Sequence, residues 1–193
     1  HVMPAIALLV AAAPPAVAQG TDNDGPPGRV ARLSAIDGTV SLQLSGDTAW
    51  SAAPLNYSLT TGDRVFAGLG ARAELEIGPF TARVDHETDL TVTNLTDHLA
   101  QFAVAQGTLR LSVYQLDLGD TIEIDTPNGA ITVRDPGHYR VEVPVNAAYT
   151  LLSVDDGAVD VDAPGLGQTV RGRQTVTLSG QSPATLAVSA PAP

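Results

Sequence analysis

Three histidines lie in the body of this chain, His86, His98 and His138, and cysteine is absent. No histidine has a second ligand at the short spacing of a zinc site. The densest polar group is Asp85-His86-Glu87 with Asp89. On a strand, positions 85, 87 and 89 share a face, which could gather carboxylates around a cation; a solvated turn is the preferred reading. Asp155, Asp156, Asp160 and Asp162 surround Gly157. Their spacing fits no EF-hand loop, and an acidic edge that discourages strand pairing explains them better. No Gly-x-Ser-x-Gly elbow is present. A glycosidase-type carboxylate pair would meet only in space, and one Trp with four Tyr offers few sugar-stacking platforms. We therefore expect no catalytic residue, no metal ligand and no cofactor. The remaining candidates are Arg134 and Arg140, which flank the turn Asp135-Pro136-Gly137, together with His138 and Tyr139. They form a candidate contact for a partner's carboxylate. The structural alternative is cross-strand pairing of the two arginines with Glu123, Asp125 or Glu142.

These residues sit in Ile122–Val143, which reads as strand, turn, strand, turn, strand. Ile122, Ile124, Ile131, Val133, Tyr139 and Val141 alternate with polar neighbours between Pro-Gly punctuation. Period-2 alternation of this kind marks half-buried strands. The pattern recurs along the chain, in Ala31–Ala35, Val40–Leu44, Ala73–Ile77 and Val159–Val161. No convincing 3.6-residue period appears in the body of the chain; the weak helix signal over Leu99–Gln106 yields to a hairpin at Gln106-Gly107. The expected fold is all-β, an irregular β-solenoid or roll of many short antiparallel strands and hairpins, with a β-sandwich or jelly roll as the alternative. Gly38, Gly107 and Gly157 head three similar strand–glycine–strand units at unequal spacing. Each is expected to be a tight turn with positive φ.

Aromatics are only 4 % of the chain, so the core must be built from Val, Leu, Ile and Ala. The net charge is −11 and every strongly basic side chain is Arg. That balance argues against nucleic acid and against anionic lipid. Ala5–Ala13 is a short apolar run followed by Ala16-Val17-Ala18. It reads as a secretory signal peptide over 1–18, too short to span a bilayer. A linker over 19–28, a β domain over 29–180 and a Pro/Ala/Ser-rich tail over 181–193 follow. The domain divides into stacked halves, 29–114 and 115–180.

Four segments resemble the FecR-type periplasmic domain: Val40 with Trp50; Leu59–Val65 running on to Ala71–Leu75; Ile124–Gly129; and Val154–Val161. The resemblance spans about residues 29–180. Where that family runs Arg-Gly-Thr, this chain has Arg134-Asp135-Pro136-Gly137-His138-Tyr139, closer to the family's secreted, uncharacterised relatives. The resemblance implies a bacterial periplasmic or secreted, non-enzymatic domain that signals or scaffolds through a protein partner; it does not imply an iron ligand. A carbohydrate- or small-ligand-binding module of the envelope is the alternative. The first reading expects Trp50 in the core; the second expects an exposed aromatic cluster of Trp50, Tyr57 and Tyr114.

Overall fold

The computed structural model describes residues 29–180 and 184–189, and among them every regular element is a strand. The leader and linker expected over 1–28 lie outside the described residues. In chain order the strands are β1 (Ala31–Asp37), β2 (Val40–Gln43), β3 (Ser51–Ala52), β4 (Ser58–Leu59), β5 (Arg64–Ala67) and β6 (Arg72–Ile77). Then come β7 (Phe80–Val84), β8 (Thr88–Leu95), β9 (Leu99–Val113), β10 (Thr121–Thr126), β11 (Gly129–Val133) and β12 (Gly137–Val143). The last five are β13 (Tyr149–Asp156), β14 (Ala158–Ala163), β15 (Leu166–Arg171), β16 (Gln174–Ser179) and β17 (Thr185–Ser189). The all-β expectation holds.

The strands form two facing layers. The first runs β4-β1-β6-β7-β9-β12-β13-β16-β17, antiparallel throughout. The second runs β3-β2-β5-β8-β9-β10-β11-β14-β15. β9 belongs to both: residues before Gly107 pair in the second layer, and those from Gly107 onward pair in the first. The rings of Phe80 in the first layer and Phe102 in the second meet edge to face at 6.2 Å. One aliphatic cluster fills the space between, with Leu33, Leu75, Leu109, Ile124 and Val159 all but sealed from solvent. Alternation therefore has the ordinary cause here: each strand buries one face against the opposite layer.

The glycine units differ from the hairpins expected of them. β1 pairs with β6 and β4, while β2 pairs with β5 and β3; Gly38 carries the chain from one layer into the other. Gly107 does the same in the middle of β9, so no hairpin forms at Gln106-Gly107. Gly157 passes the chain from β13 to β14 across layers. All three have positive φ, at 77°, 94° and 85°. Neighbouring corners pack on one another. The Gly68 N–H reaches the Thr39 carbonyl at 2.9 Å, and the Gly172 N–H reaches the Gly157 carbonyl at 2.9 Å. Early corners lie at the Gly107 end of the layers. Because β12 runs back along β9, with Val143 opposite Gly107 and Gly137 opposite Val113, the later corners lie at the other end. The segment 114–120 returns the chain from the first layer to the second, which makes β10 parallel to the first half of β9.

A second difference concerns the tail expected over 181–193. Its residues Thr185–Ser189 form β17, paired with β16 in regular register from Thr175–Ser189 to Ser179–Thr185.

Candidate partner-binding face

The four sequence candidates do not stand together. Consecutive strand residues point to opposite faces, and a layer switch lies between Arg134 and His138. Arg134 follows β11 on the outside of the second layer, ion-paired with Asp160. Asp160 also accepts the Thr169 hydroxyl at 2.7 Å, and these two contacts hold its carboxyl below the usual carboxylate range. His138 and Arg140 stand on the outside of the first layer. The His138 ring and backbone N–H both reach Asp156, at 2.8 and 2.6 Å, and these hydrogen bonds lower the Asp156 pKa.

Tyr139 points inward and is 3 % exposed, which removes it from any contact surface. Its hydroxyl donates to the Asp135 carbonyl and accepts the Ala158 N–H at 3.2 Å. It pins the corner before β12 to the corner before β14. Burial pushes the phenol from 10.0 up to about 12. A folded pKa above the unfolded one means that the unfolded chain ionises first as the pH rises. Stability is therefore unaffected by this group below pH 10 and falls between pH 10 and 12, by about 2–3 kcal/mol. Chemical unfolding at stepped alkaline pH should show that decline, and Tyr139→Phe should flatten it while lowering stability at neutral pH. An identical alkaline slope in both proteins would assign the loss to other groups.

Arg140 is part of a larger feature. The register puts Arg83 of β7 opposite Arg110 of β9, and Arg110 opposite Arg140 of β12. Three guanidinium groups on adjacent strands form one row across the outer face, each side chain 40–55 % exposed. Like charges directly opposite one another destabilise a sheet. Here each is offset by an acid outside the row: Arg83 by Glu74, Arg110 by Asp85 at 3.1 Å, Arg140 by Glu142 at 2.6 Å. Asp85 also holds Arg72 at 3.4 Å. The Nε–H of Arg140 is shielded from water and meets no acceptor among the described residues. Beside the row lies a shallow groove of about 430 Å³, lined by Ile36, Arg72, Glu74, Arg83, Asp85 and Arg110 among others. Chemically, this face can exchange its internal carboxylates for those of a partner.

Four of the acids weighed as cation ligands pair with other side chains. Asp85 serves two arginines, Asp89 binds Arg64 at 2.7 Å, and Asp156 and Asp160 have the partners given above. Among the described residues no group of three or more His, Asp or Glu is placed to hold a metal ion. Asp63 and Asp120, each preceded by a glycine in sequence, fasten turns. Asp63 accepts the Ser45 and Thr60 N–H groups at 2.9 Å each, and Asp120 binds Arg29 and His98.

Trp50 is 41 % exposed, contrary to the core placement expected of it. It stands on the outside of the second layer, its ring 6.3 Å from Phe66 and under the Arg64 guanidinium at 5.2 Å. The expected aromatic cluster is not formed either: Tyr57 packs against the core, and Tyr114 follows β9 in the first layer.

No protein-family model matches the chain, and no curated protein matches it. Among solved structures, its fold is similar to two crystal structures of a "putative anti-sigma factor" from Parabacteroides distasonis. Each has a TM-score of 0.57, at 14 and 15 % identity, over 66 % of this chain and 59 % of that one. The match thus covers less than two thirds of the neighbour, and it bears on the fold.

Proposed function

We propose that this chain is a non-enzymatic, FecR-like β domain, periplasmic or secreted, that acts in envelope signalling or scaffolding by binding a protein partner on the outer face of the first layer. The observation that carries this reading is the row Arg83–Arg110–Arg140. In a chain of charge −11, it sets three arginines side by side on one outer face, their mutual repulsion offset by acids outside the row. Its natural counterpart is a protein surface presenting carboxylates, which arginine grips in bidentate geometry. The Ala-x-Ala leader pattern supports export, and the name of the structural neighbour supports signalling.

The test is genetic. In the source bacterium, deletion of the gene should change the transcript level of a restricted gene set. The wild-type chain should restore it, and the Arg83→Ala/Arg110→Ala/Arg140→Ala variant should not, at equal abundance and nearly equal melting temperature. Full restoration by the variant would remove the arginine row from the function. A second reading, a glycan-binding module, is favoured by the exposed Trp50 beside Phe66 and Arg64. A shift of Trp50 emission on adding soluble envelope glycans, unchanged in the arginine variant, would select it instead.

A further inference from the structure

The two flanks of the layered fold are finished differently. One flank ends in β3 and β4, two residues each, next to loops that carry Asp47 and Pro54. Short edges and prolines are ordinary protection against pairing. On the other flank the second layer ends in β15, whose last residue, Arg171, supplies a guarding charge. The first layer ends in β17, Thr185-Leu186-Ala187-Val188-Ser189, which has no charge, no proline and no bulge. Among the described residues nothing pairs with its far side. Leu186 and Val188 stand opposite Leu178 and Val176, which are fully buried, yet Val188 is 50 % exposed. The inner face of β17 is therefore only partly covered and leaves an apolar ledge.

We propose that β17 is the seam of a homodimer, two copies pairing this strand antiparallel about a twofold axis at Ala187. Self-pairing demands that the strand be compatible with its own reverse, and β17 is. The axis sets Ala187 against Ala187 of the second copy, small against small. It sets Leu186 against Val188, joining the two ledges, and Thr185 against Ser189 on the outer face. Such cross-strand pairs are favourable or neutral. Charge selects the same patch. Copies of a chain at −11 repel one another, so association needs an uncharged surface. The outward residues of this flank are Thr175, Thr177 and Ser179 beside Thr185, Ala187 and Ser189. The inference is independent of the arginine row, which lies on the strands β7, β9 and β12.

Sedimentation of the full chain over a concentration series should give twice the monomer mass. Ala187→Lys and Ala187→Asp each place like charges at the axis and should each sediment as monomer, with unchanged circular dichroism. Mixed in equal amounts, they should recover the dimer mass. Because the chain has no cysteine, Ala187→Cys should also give a disulfide-linked dimer under mild oxidation. A wild-type chain that stays monomeric would overturn the proposal and leave the edge to an extended segment of another protein. A dimer that survives Ala187→Lys would overturn it by placing the seam elsewhere.

Discussion

Valine at Gly107 or Gly157 should cost the domain about 3–5 kcal/mol, enough to unfold much of a population whose total stability is about 5–15 kcal/mol. Two separate penalties combine. Both glycines hold positive φ, 94° and 85°, where a β-branched residue is strained by about 1–3 kcal/mol. Both also lack room. A Cβ at Gly107 would lie 2.3 Å from the Thr88 Cα, which is backbone and cannot swing aside. A Cβ at Gly157 would lie 2.2 Å from the Tyr139 hydroxyl and 2.7 Å from the Pro136 carbonyl. Overfilling a packed site costs typically about 1–3 kcal/mol on top of the strain. Gly119 separates the two penalties, because its φ is also 94° but a Cβ there meets nothing within 4 Å. Urea unfolding of the three valine variants should rank Gly119→Val as the mildest by about 1–3 kcal/mol. Equal midpoints would mean that the corners are strained but not close-packed.

The same glycines show what the sequence holds and what it withholds. Asp37-Gly38 and Asp156-Gly157 demand a positive φ, and that demand is local, so it is legible. Whether the strands on either side pair with each other or with strands dozens of residues away is not local, and here β1 lies against β6 while β2 lies against β5. A corner therefore looks like a hairpin. In the same way, period-2 alternation identified the inward residues Ile122, Ile124, Ile131, Val133, Tyr139 and Val141, all 3 % exposed or less. Alternation reports a face and not a neighbour. Arg83 and Arg110 each stand between apolar neighbours in sequence, but the row they form with Arg140 exists only once the registers of β7, β9 and β12 are known. The family resemblance implies a buried Trp50, whereas a stacked Arg64 and Phe66 hold it at the surface. β17 was hidden by composition: its alternation is intact but brief, set among Ala, Pro and Ser. Tyr139 alternates in sequence with polar neighbours, and its hydroxyl makes it look like a contact residue although its face is buried. An inward aromatic with a hydroxyl needs a buried partner, and that partner, the Ala158 backbone, lies 19 residues on.

Phe102→Ala should be the most damaging truncation in the core, at about 3–5 kcal/mol. The chain has three Phe, and two of them, both fully buried, form the contact between the layers. Phe102 lies in the part of β9 bonded to β8 on one side and β10 on the other, so no edge is near to relax into the space left behind. Ile131→Ala, on the other flank, should cost about 2–4 kcal/mol by the same cavity argument. Arg134→Ala, at the exposed residue directly after Val133 and ion-paired with Asp160, should cost about 1 kcal/mol or less. The pair Phe80→Ala and Phe102→Ala should be non-additive. Each single change already removes the edge-to-face contact, so the double variant should be milder than the sum by about 0.5–1.5 kcal/mol. Additive losses would show that the rings contribute as separate apolar masses. A harmless Ile131→Ala beside an unfolding Arg134→Ala would reverse the faces of β11, as a register slip of one residue would do.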